Sequence, residues 1–354
     1  MSLSHIGFSL AKPLLHRLDA EQAHRLTIAG LKSGLAKASR PQSWPRLESK
    51  LFGLSFANPL GLAPGFDKNA EVPDAMLAQG FGFVEIGTVT PRPQAGNPKP
   101  RLYRLLEDEA VINRMGFNNE GHAAVRQRLE ARRAHGGVVG INIGANKDSA
   151  DRIEDYVEGI SAFSDLASYI TINISSPNTP GLRNLQGRAD LQRLLDRLNQ
   201  ARKPSLPMLL KIAPDLSVDE LQDVASVCEG GAVDGVIISN TTLSRPPLTS
   251  RFATEAGGLS GKPLLELSTQ QLALFYKLSK GRIPLIGVGG IYNVETAWAK
   301  IIAGASLIQL YSALVFKGPA LIAEICQGLN AKLVEHGFST LSQAIGSQNG
   351  EAGK

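Results

Sequence analysis

The sequence predicts an α/β fold, a (β/α)8 TIM barrel preceded by a small N-terminal helical extension. Three observations carry that expectation. Eight short apolar runs recur from residue 58 onward, each is followed by a segment of helical periodicity, and no hairpin signal separates one unit from the next. Such alternation implies parallel strands joined by helices, and the 255 residues from 58 to 312 match the ~250 typical of a closed barrel. An open doubly wound sheet is the alternative, but no GxGxxG follows the first strand.

In chain order the strand-like runs are NPLGLAPG (58–65), FVEIGTVT (83–90), VVGINIGA (138–145), YITINIS (169–175), MLLKIAP (208–214), GVIISNT (235–241), PLIGVGG (284–290) and SLIQLYS (306–312). Helical patterns follow at about 69–79, 119–134, 151–167, 190–202, 217–230, 263–280, 293–303 and 318–335. Two connections exceed a plain strand-to-helix loop. Residues 91–117, rich in Pro and Arg, follow the second strand, and 242–262 follow the sixth. Both lie on the C-terminal face, where barrels keep their chemistry, and long loops there serve as lids or pocket walls. The tail from Ser339, STLSQAIGSQNGEAGK, has little apolar content and is expected to fray.

The 354 residues are 43% hydrophobic and 19% charged, ample for a large core and unlike a disordered chain. Cys228 and Cys326 stand far apart with no CxxC or metal-ligand spacing, which points to a reduced compartment. No run approaches the ~18 apolar residues that span a bilayer, and no signal-peptide core opens the chain. The protein is expected to stay in the compartment where it is made. The net charge of +5 hints at nucleic acid only until it is located. Residues 1–40 hold six Lys/Arg against two acids, so the body of the chain is nearly neutral and no nucleic-acid partner is expected.

The segment FSLAKPLLHRLDAEQAHRLTIAGLKSGLAK (8–37) carries a helix-start signal at Asp19–Gln22 and apolar Ala23, Leu26, Ala29 and Leu31. It reads as two short amphipathic helices with basic residues beside the apolar ones. A cap on the barrel's bottom and an interfacial membrane helix pair are both open readings. The expected division is 1–45 for this segment, 46–338 for the barrel and 339–354 for a flexible tail.

A closed barrel would bring the strand ends together. They deliver Gly65 and Lys68, Thr88, Asn142, Asn173 and Ser176, Lys211, then Ser239, Asn240 and Thr241, then Gly289 and Gly290, and finally Tyr311 and Ser312. This set contains no histidine or carboxylate, so metal-assisted hydrolysis is not expected and no metal is assigned. GVGG (287–290) and the hydroxyls of QLYS (309–312) fall where barrels bind phosphate through backbone N–H groups, although a lone GVGG also serves a tight turn.

Lys211 lies inside an apolar strand, a costly place for an amine without a partner. A Schiff-base amine and a fixed cation beside a bound ring system are both open roles. Asn113, Asn173, Asn178 and Asn240 can each donate and accept, which suits a pyrimidine-like imide with alternating N–H and C=O edges. Ser176 has no histidine at any strand end to activate it, and GxSxG is absent. Proton transfer by the hydroxyl itself remains.

Several blocks together resemble one family. NISSPNTPGLR (173–183), GFGFVEIGTVTPRPQAGNPKPRLYRL (80–105), NRMGFNN (113–119), ISNTT (238–242), GGLSGKP (257–263) and GVGG with GASLIQLYSAL are similar to the membrane-associated, quinone-linked class 2 dihydroorotate dehydrogenases. The resemblance runs from the N-terminal helices to about residue 330. It implies oxidation of (S)-dihydroorotate to orotate, with hydride transfer to FMN and reoxidation by a membrane quinone, in UMP biosynthesis. It implies FMN contacts from Ala63, Gly65, Thr88, Asn142, Asn173, Lys211, Ser239, Gly261, Gly290, Tyr311 and Ser312.

It further implies substrate contacts from Lys68, Asn113, Arg114, Met115, Gly116, Phe117, Asn173, Asn178, Asn240 and Thr241. Ser176 matches the base that removes the C5 proton while the C6 hydride leaves, and Lys211 then acts by its charge. His24, Arg104 and Tyr311 match positions lining a quinone tunnel. The resemblance also implies peripheral contact with lipid on the cytoplasmic face of a bacterial inner membrane. Pro64, Ser239 and Ser312 depart from the family pattern, where alanine and threonine are common. Two rival expectations are a lyase or aldolase barrel using Lys211 as its amine, and a flavin- or phosphate-binding barrel without catalysis.

Overall fold

The structure, a computed structural model, describes residues 3–34 and 42–349. Two helices open it, α1 (Leu3–Arg17) and α2 (Ala20–Lys32), followed by a hairpin of β1 (Ser49–Leu51) and β2 (Leu54–Phe56). The first repeat is β3 (Leu60–Leu62) and α3 (Pro73–Leu77). Next come β4 (Phe83–Val89), β5 (Leu102–Leu105), β6 (Ala110–Asn113) and α4 (Gly121–Ala131). The chain continues through β7 (Val138–Ile143), α5 (Arg152–Phe163), β8 (Tyr169–Asn173), α6 (Arg188–Ala201), β9 (Met208–Ile212), α7 (Val218–Cys228) and β10 (Gly235–Ile238). It closes with β11 (Gly258–Gly261), α8 (Leu265–Leu278), β12 (Leu285–Val288), α9 (Val294–Ile302), β13 (Ala305–Leu310), α10 (Ser312–Lys317), α11 (Ala320–Glu335) and α12 (Leu341–Ala344).

Strands β3, β4, β7, β8, β9, β10, β12 and β13 pair in that order, and β13 returns to β3 to close the expected barrel. Alternation along each strand divides the core in two. Val84 and Ile86, Ile170 and Ile172, and Leu210 and Ile212 pack outward against the helices, whereas Phe83, Tyr169, Leu209, Ile237, Ile286 and Leu307 fill the interior. Large and small residues fit across it. A Cβ on Gly140 would lie 2.1 Å from the Tyr169 ring, so the glycine makes room for the tyrosine. Phe56 of the hairpin plugs the bottom, edge-on to Phe83 at 5.4 Å.

The insertions fold in a way the periodicity does not reveal. β5 and β6 form a hairpin inside the first, and β11 of the second pairs antiparallel with β6, giving a three-stranded sheet over the barrel mouth. This pairing joins residues nearly 150 positions apart, which local patterning cannot specify. Arg114 fastens it, reaching Glu255 at 2.8 Å and lying over the Tyr103 ring.

The N-terminal helices form as expected, with the Asp19 side chain accepting the Glu21 and Gln22 amides at the start of α2. They dock on the first insertion. Arg101 makes a two-pronged pair with Glu21 at 3.1 and 2.9 Å, and Arg104 donates to the carbonyls of Leu15 and Leu18 at the end of α1. Burial alone would raise the Glu21 carboxyl, yet the bonds and charges of Arg101 and Lys99 hold it at about 2, against 4.5 ordinarily. A carboxyl lowered in the folded state stabilises docking above its unfolded pKa and loses that contribution as pH falls through its folded one. Amide protection in α1–α2, taken relative to the unfolded chain at the same pH, should therefore be full above about pH 5 and fall from about 4.5 toward about 2. Equal protection at both ends of that window would contradict the clamp.

The tail is a correction. Residues 340–349, expected to fray, are ordered against the barrel: Thr340 and Gln343 make a reciprocal cap, Leu341 and Ala344 are buried, and the Gly346 amide donates to the Ile301 carbonyl at 3.1 Å. Two well-placed apolar residues and hydrogen bonds to the carbonyls at the end of α9 suffice where overall composition predicts fraying. Residues 350–354, and 35–41 of the N-terminal segment, lie outside the described residues.

Candidate active site

Above the apolar filling the barrel interior turns polar. Glu85, fully buried on β4, accepts from Asn142 Nδ2 at 2.8 Å, the Tyr169 hydroxyl at 3.0 Å and Gln309 Nε2 at 2.7 Å. Lys211 on β9 is the nearby cation. Burial lowers its pKa and the Glu85 carboxylate partly restores it. Its ammonium makes no hydrogen bond among the described residues, so it lines the cavity with its donors uncommitted. Glu85 escapes the sequence reading because it lies mid-strand, two residues beyond inward Phe83; an inward carboxylate in FVEIGTV was the available signal.

The strand ends meet in a chain of amides. Asn142 Oδ1 accepts from Thr88 Oγ1 and from Asn173 Nδ2, and Asn173 Oδ1 accepts from Ser175 Oγ at 3.0 Å and Asn240 Nδ2 at 3.3 Å. Because each amide fixes the next, their orientations are set before a ligand arrives. Asn142 Nδ2 donates in turn to Glu85, so this amide links the chain to the buried carboxylate.

Beyond β8 the chain enters the loop bearing Ser176. The side chain is 5% exposed, and among the described residues its one hydrogen bond comes from the Asn178 amide at 3.2 Å. Its own proton is uncommitted. Arg183, which the sequence reading missed, closes this loop: Nε donates to the Ser175 carbonyl at 3.1 Å and Nη2 to the Thr241 carbonyl at 3.1 Å. Asp215 pairs with it at 2.8 Å, tying together the ends of β8, β9 and β10. An arginine closing NISSPNTPGLR is the trace it leaves in the sequence.

The three-stranded sheet supplies the facing wall. Asn178 Nδ2 donates to the Asn113 carbonyl at 3.1 Å, joining the serine loop to β6. Gly258 makes the closure possible, since a Cβ there would fall 1.9 Å from Thr241 Oγ1. Met115, Gly116 and Phe117 line the cavity, but the Arg114 side chain points away to Glu255. Lys68 faces the cavity and bonds Asn118; burial first, then the charge of Arg101, lower its pKa to about 7. Gly261, Gly290 and Ser312 gather at the opposite end, where Ser312 and Ser260 hydroxyls lie 2.9 Å apart.

A continuous cavity of about 780 Å³ is lined by Lys68, Thr88, Asn173, Ser176, Lys211 and Asn240 among others and runs on between Phe66 and Tyr311 to α1 and α2. The Tyr311 hydroxyl stands 3.4 Å from His24 Nδ1, and Phe66 meets both rings edge-on. Burial, then the charge of Lys68, pushes His24 down to about 4, leaving it neutral near pH 7. Arg104 also lines this branch. The far end is apolar outside as well: Leu10, Leu14 and Leu26 are 78%, 65% and 55% exposed. Among the described residues no helix is long and apolar enough to cross a membrane.

Comparison with known proteins gives one result. The family described as dihydroorotate dehydrogenase matches residues 46–333. Dihydroorotate dehydrogenase (quinone) of Parvibaculum lavamentivorans is 58% identical over 341 residues, covering 96% of this chain and 98% of that one. The protein of the same name from Novosphingobium aromaticivorans is 56% identical over 348 residues, covering 96% and 99%. Among solved structures, DHODH from Eimeria tenella in complex with ferulenol superposes with a TM-score of 0.89 at 37% identity, covering 93% of this chain and 96% of that one.

Proposed function

The chain belongs to the dihydroorotate dehydrogenase family, and from that premise we propose how its cavity performs the family's reaction. It is an oxidoreductase that converts dihydroorotate to orotate with a quinone as acceptor, in pyrimidine biosynthesis. A flavin serves the family, and we assign FMN. The observation that carries the assignment of roles is the single cavity joining Ser176 and Lys211 to the N-terminal helices.

The residues present fit a phosphate-bearing flavin. Among the described residues Lys211 offers a cation with free donors and Gln309 Oε1 is a buried acceptor with no partner, and backbone and hydroxyl groups of Gly261, Gly290 and Ser312 cluster at one end. Held there, a flavin would supply the acceptor for the C6 hydride of dihydroorotate and the donor of electrons to quinone. Ala63, Gly65, Thr88, Asn173, Ser239 and Tyr311 would line it, with Asn142 acting through Thr88 and Asn173.

Asn113, Asn178, Asn240 and Thr241 hold the substrate's alternating N–H and C=O edges, and Lys68 faces its carboxylate. Met115, Gly116 and Phe117 wall the pocket, with Arg114 bracing that wall from behind. Ser176 Oγ takes the C5 proton as the C5–C6 double bond forms, its own uncommitted hydroxyl proton passing to water, and Arg183 holds the loop that aims it. Lys211 supplies positive charge where the ring system gains electrons. Family membership gives the aldolase reading of this lysine no support.

Quinone would enter between α1 and α2 past His24, Arg104 and Tyr311. The exposed leucines beside exposed Arg17 and Arg25 suit a peripheral seat on lipid, on the cytoplasmic face of a bacterial inner membrane. The cofactor assignment is tested directly: flavin released from the purified protein by heat should co-chromatograph with FMN. Release of FAD would overturn it.

A further inference from the structure

Lys300 on α9 is fully buried and takes no part in the chemistry above. Its Nζ donates to Ser268 Oγ at 2.6 Å, and no carboxylate pairs with it among the described residues. Burial pushes its pKa well below the ordinary lysine value. An ammonium has three donors, so a single neutral acceptor leaves most of its desolvation cost unanswered.

What Ser268 touches gives the lysine its meaning. Its Oγ lies 2.8 Å from the Leu264 carbonyl, 3.2 Å from that of Leu265 and 3.0 Å from that of Gly289. The first two follow Gly261 at the start of α8, and the third precedes Gly290. These two backbones touch without side chains between them, since a Cβ on Gly290, at φ +76°, would fall 2.3 Å from Leu265 Cα. Lys300 Cβ lies 3.3 Å from where a Cβ of Gly287 would stand, packed against β12 just before that loop. One buried amine therefore braces both glycine turns at one end of the cavity.

We propose that Lys300 is a positioning residue for the phosphate end of the cofactor, acting through Ser268 on the Gly289–Gly290 loop and on the turn after Gly261. The inference rests on the FMN reading. It makes Lys300 a determinant of selection for a phosphorylated flavin over the same flavin without phosphate, because the two glycine turns it braces through Ser268 line that end of the cavity.

The test uses the full chain, stripped of flavin and titrated with FMN and with riboflavin, following flavin fluorescence. Lys300→Met should weaken FMN binding at least about tenfold while changing riboflavin affinity less than about twofold. Ser268→Ala should show the same pattern more weakly, and it decides the matter if the methionine variant loses its near-ultraviolet circular dichroism. Equal losses for both ligands would reduce Lys300 to packing, and no loss for FMN would remove it from the site. A wild-type protein that binds riboflavin as tightly as FMN would instead overturn the phosphate reading beneath the proposal.

Discussion

Replacing Ser176 with alanine should leave flavin bound and slow its reduction by dihydroorotate ~10²–10⁴-fold, the usual loss on removing a general base. The geometry explains why the effect should be confined to that step. Ser176 accepts one amide proton and holds up nothing else, while its neighbours are fixed independently by Asn113, Arg183 and Asn240. Alanine therefore removes an acceptor for the C5 proton without loosening the wall. No second base stands ready, because no histidine or carboxylate hydrogen-bonds to this serine among the described residues. Reoxidation of the flavin by quinone should keep its wild-type rate. The measurement is anaerobic stopped-flow absorbance for each half-reaction, and an unchanged reduction rate would remove Ser176 from the mechanism.

Deleting residues 1–40 should abolish quinone reduction while leaving reduction of the flavin by dihydroorotate partly intact. The two ends of the cavity are built from different parts of the chain. Ser176, Lys211 and the amides belong to the barrel, whereas the apolar branch has α1 and α2 as one of its walls. The deletion also strips Arg101 of Glu21, a buried partner whose loss costs roughly 3–5 kcal/mol in comparable pairs, so some loss of the first half-reaction is expected. Gly30→Trp separates the effects. A Cβ at Gly30 enters open space along the same branch, so an indole there obstructs the passage with Glu21 and Arg101 untouched. Equal loss of both half-reactions in a folded truncated protein would contradict the tunnel.

The barrel was legible because its information is local. Eight apolar runs with helices between them identify the strands to within a few residues, and closure follows from their number. The mouth was legible for a related reason, since strand ends in a closed barrel converge whatever their separation in sequence. What stayed hidden depends on distant partners. The β6–β11 pairing, the Arg101–Glu21 clamp and the Arg183 bridge each join segments whose meeting no periodicity encodes. Glu85 and Lys300 were hidden differently, as single charged residues inside segments read for their apolar pattern. The ordered 340–349 segment shows the converse, where low apolar content concealed two residues with a specific place to go.

The most direct measurement is the visible spectrum of the purified protein without oxygen, before and after dihydroorotate and then after a quinone. The account predicts a flavin band that bleaches with dihydroorotate and returns with quinone. A flavin band that dihydroorotate leaves untouched would contradict the assigned substrate site, and a protein colourless even after FMN is supplied would contradict the cofactor site and return Lys211 to amine chemistry.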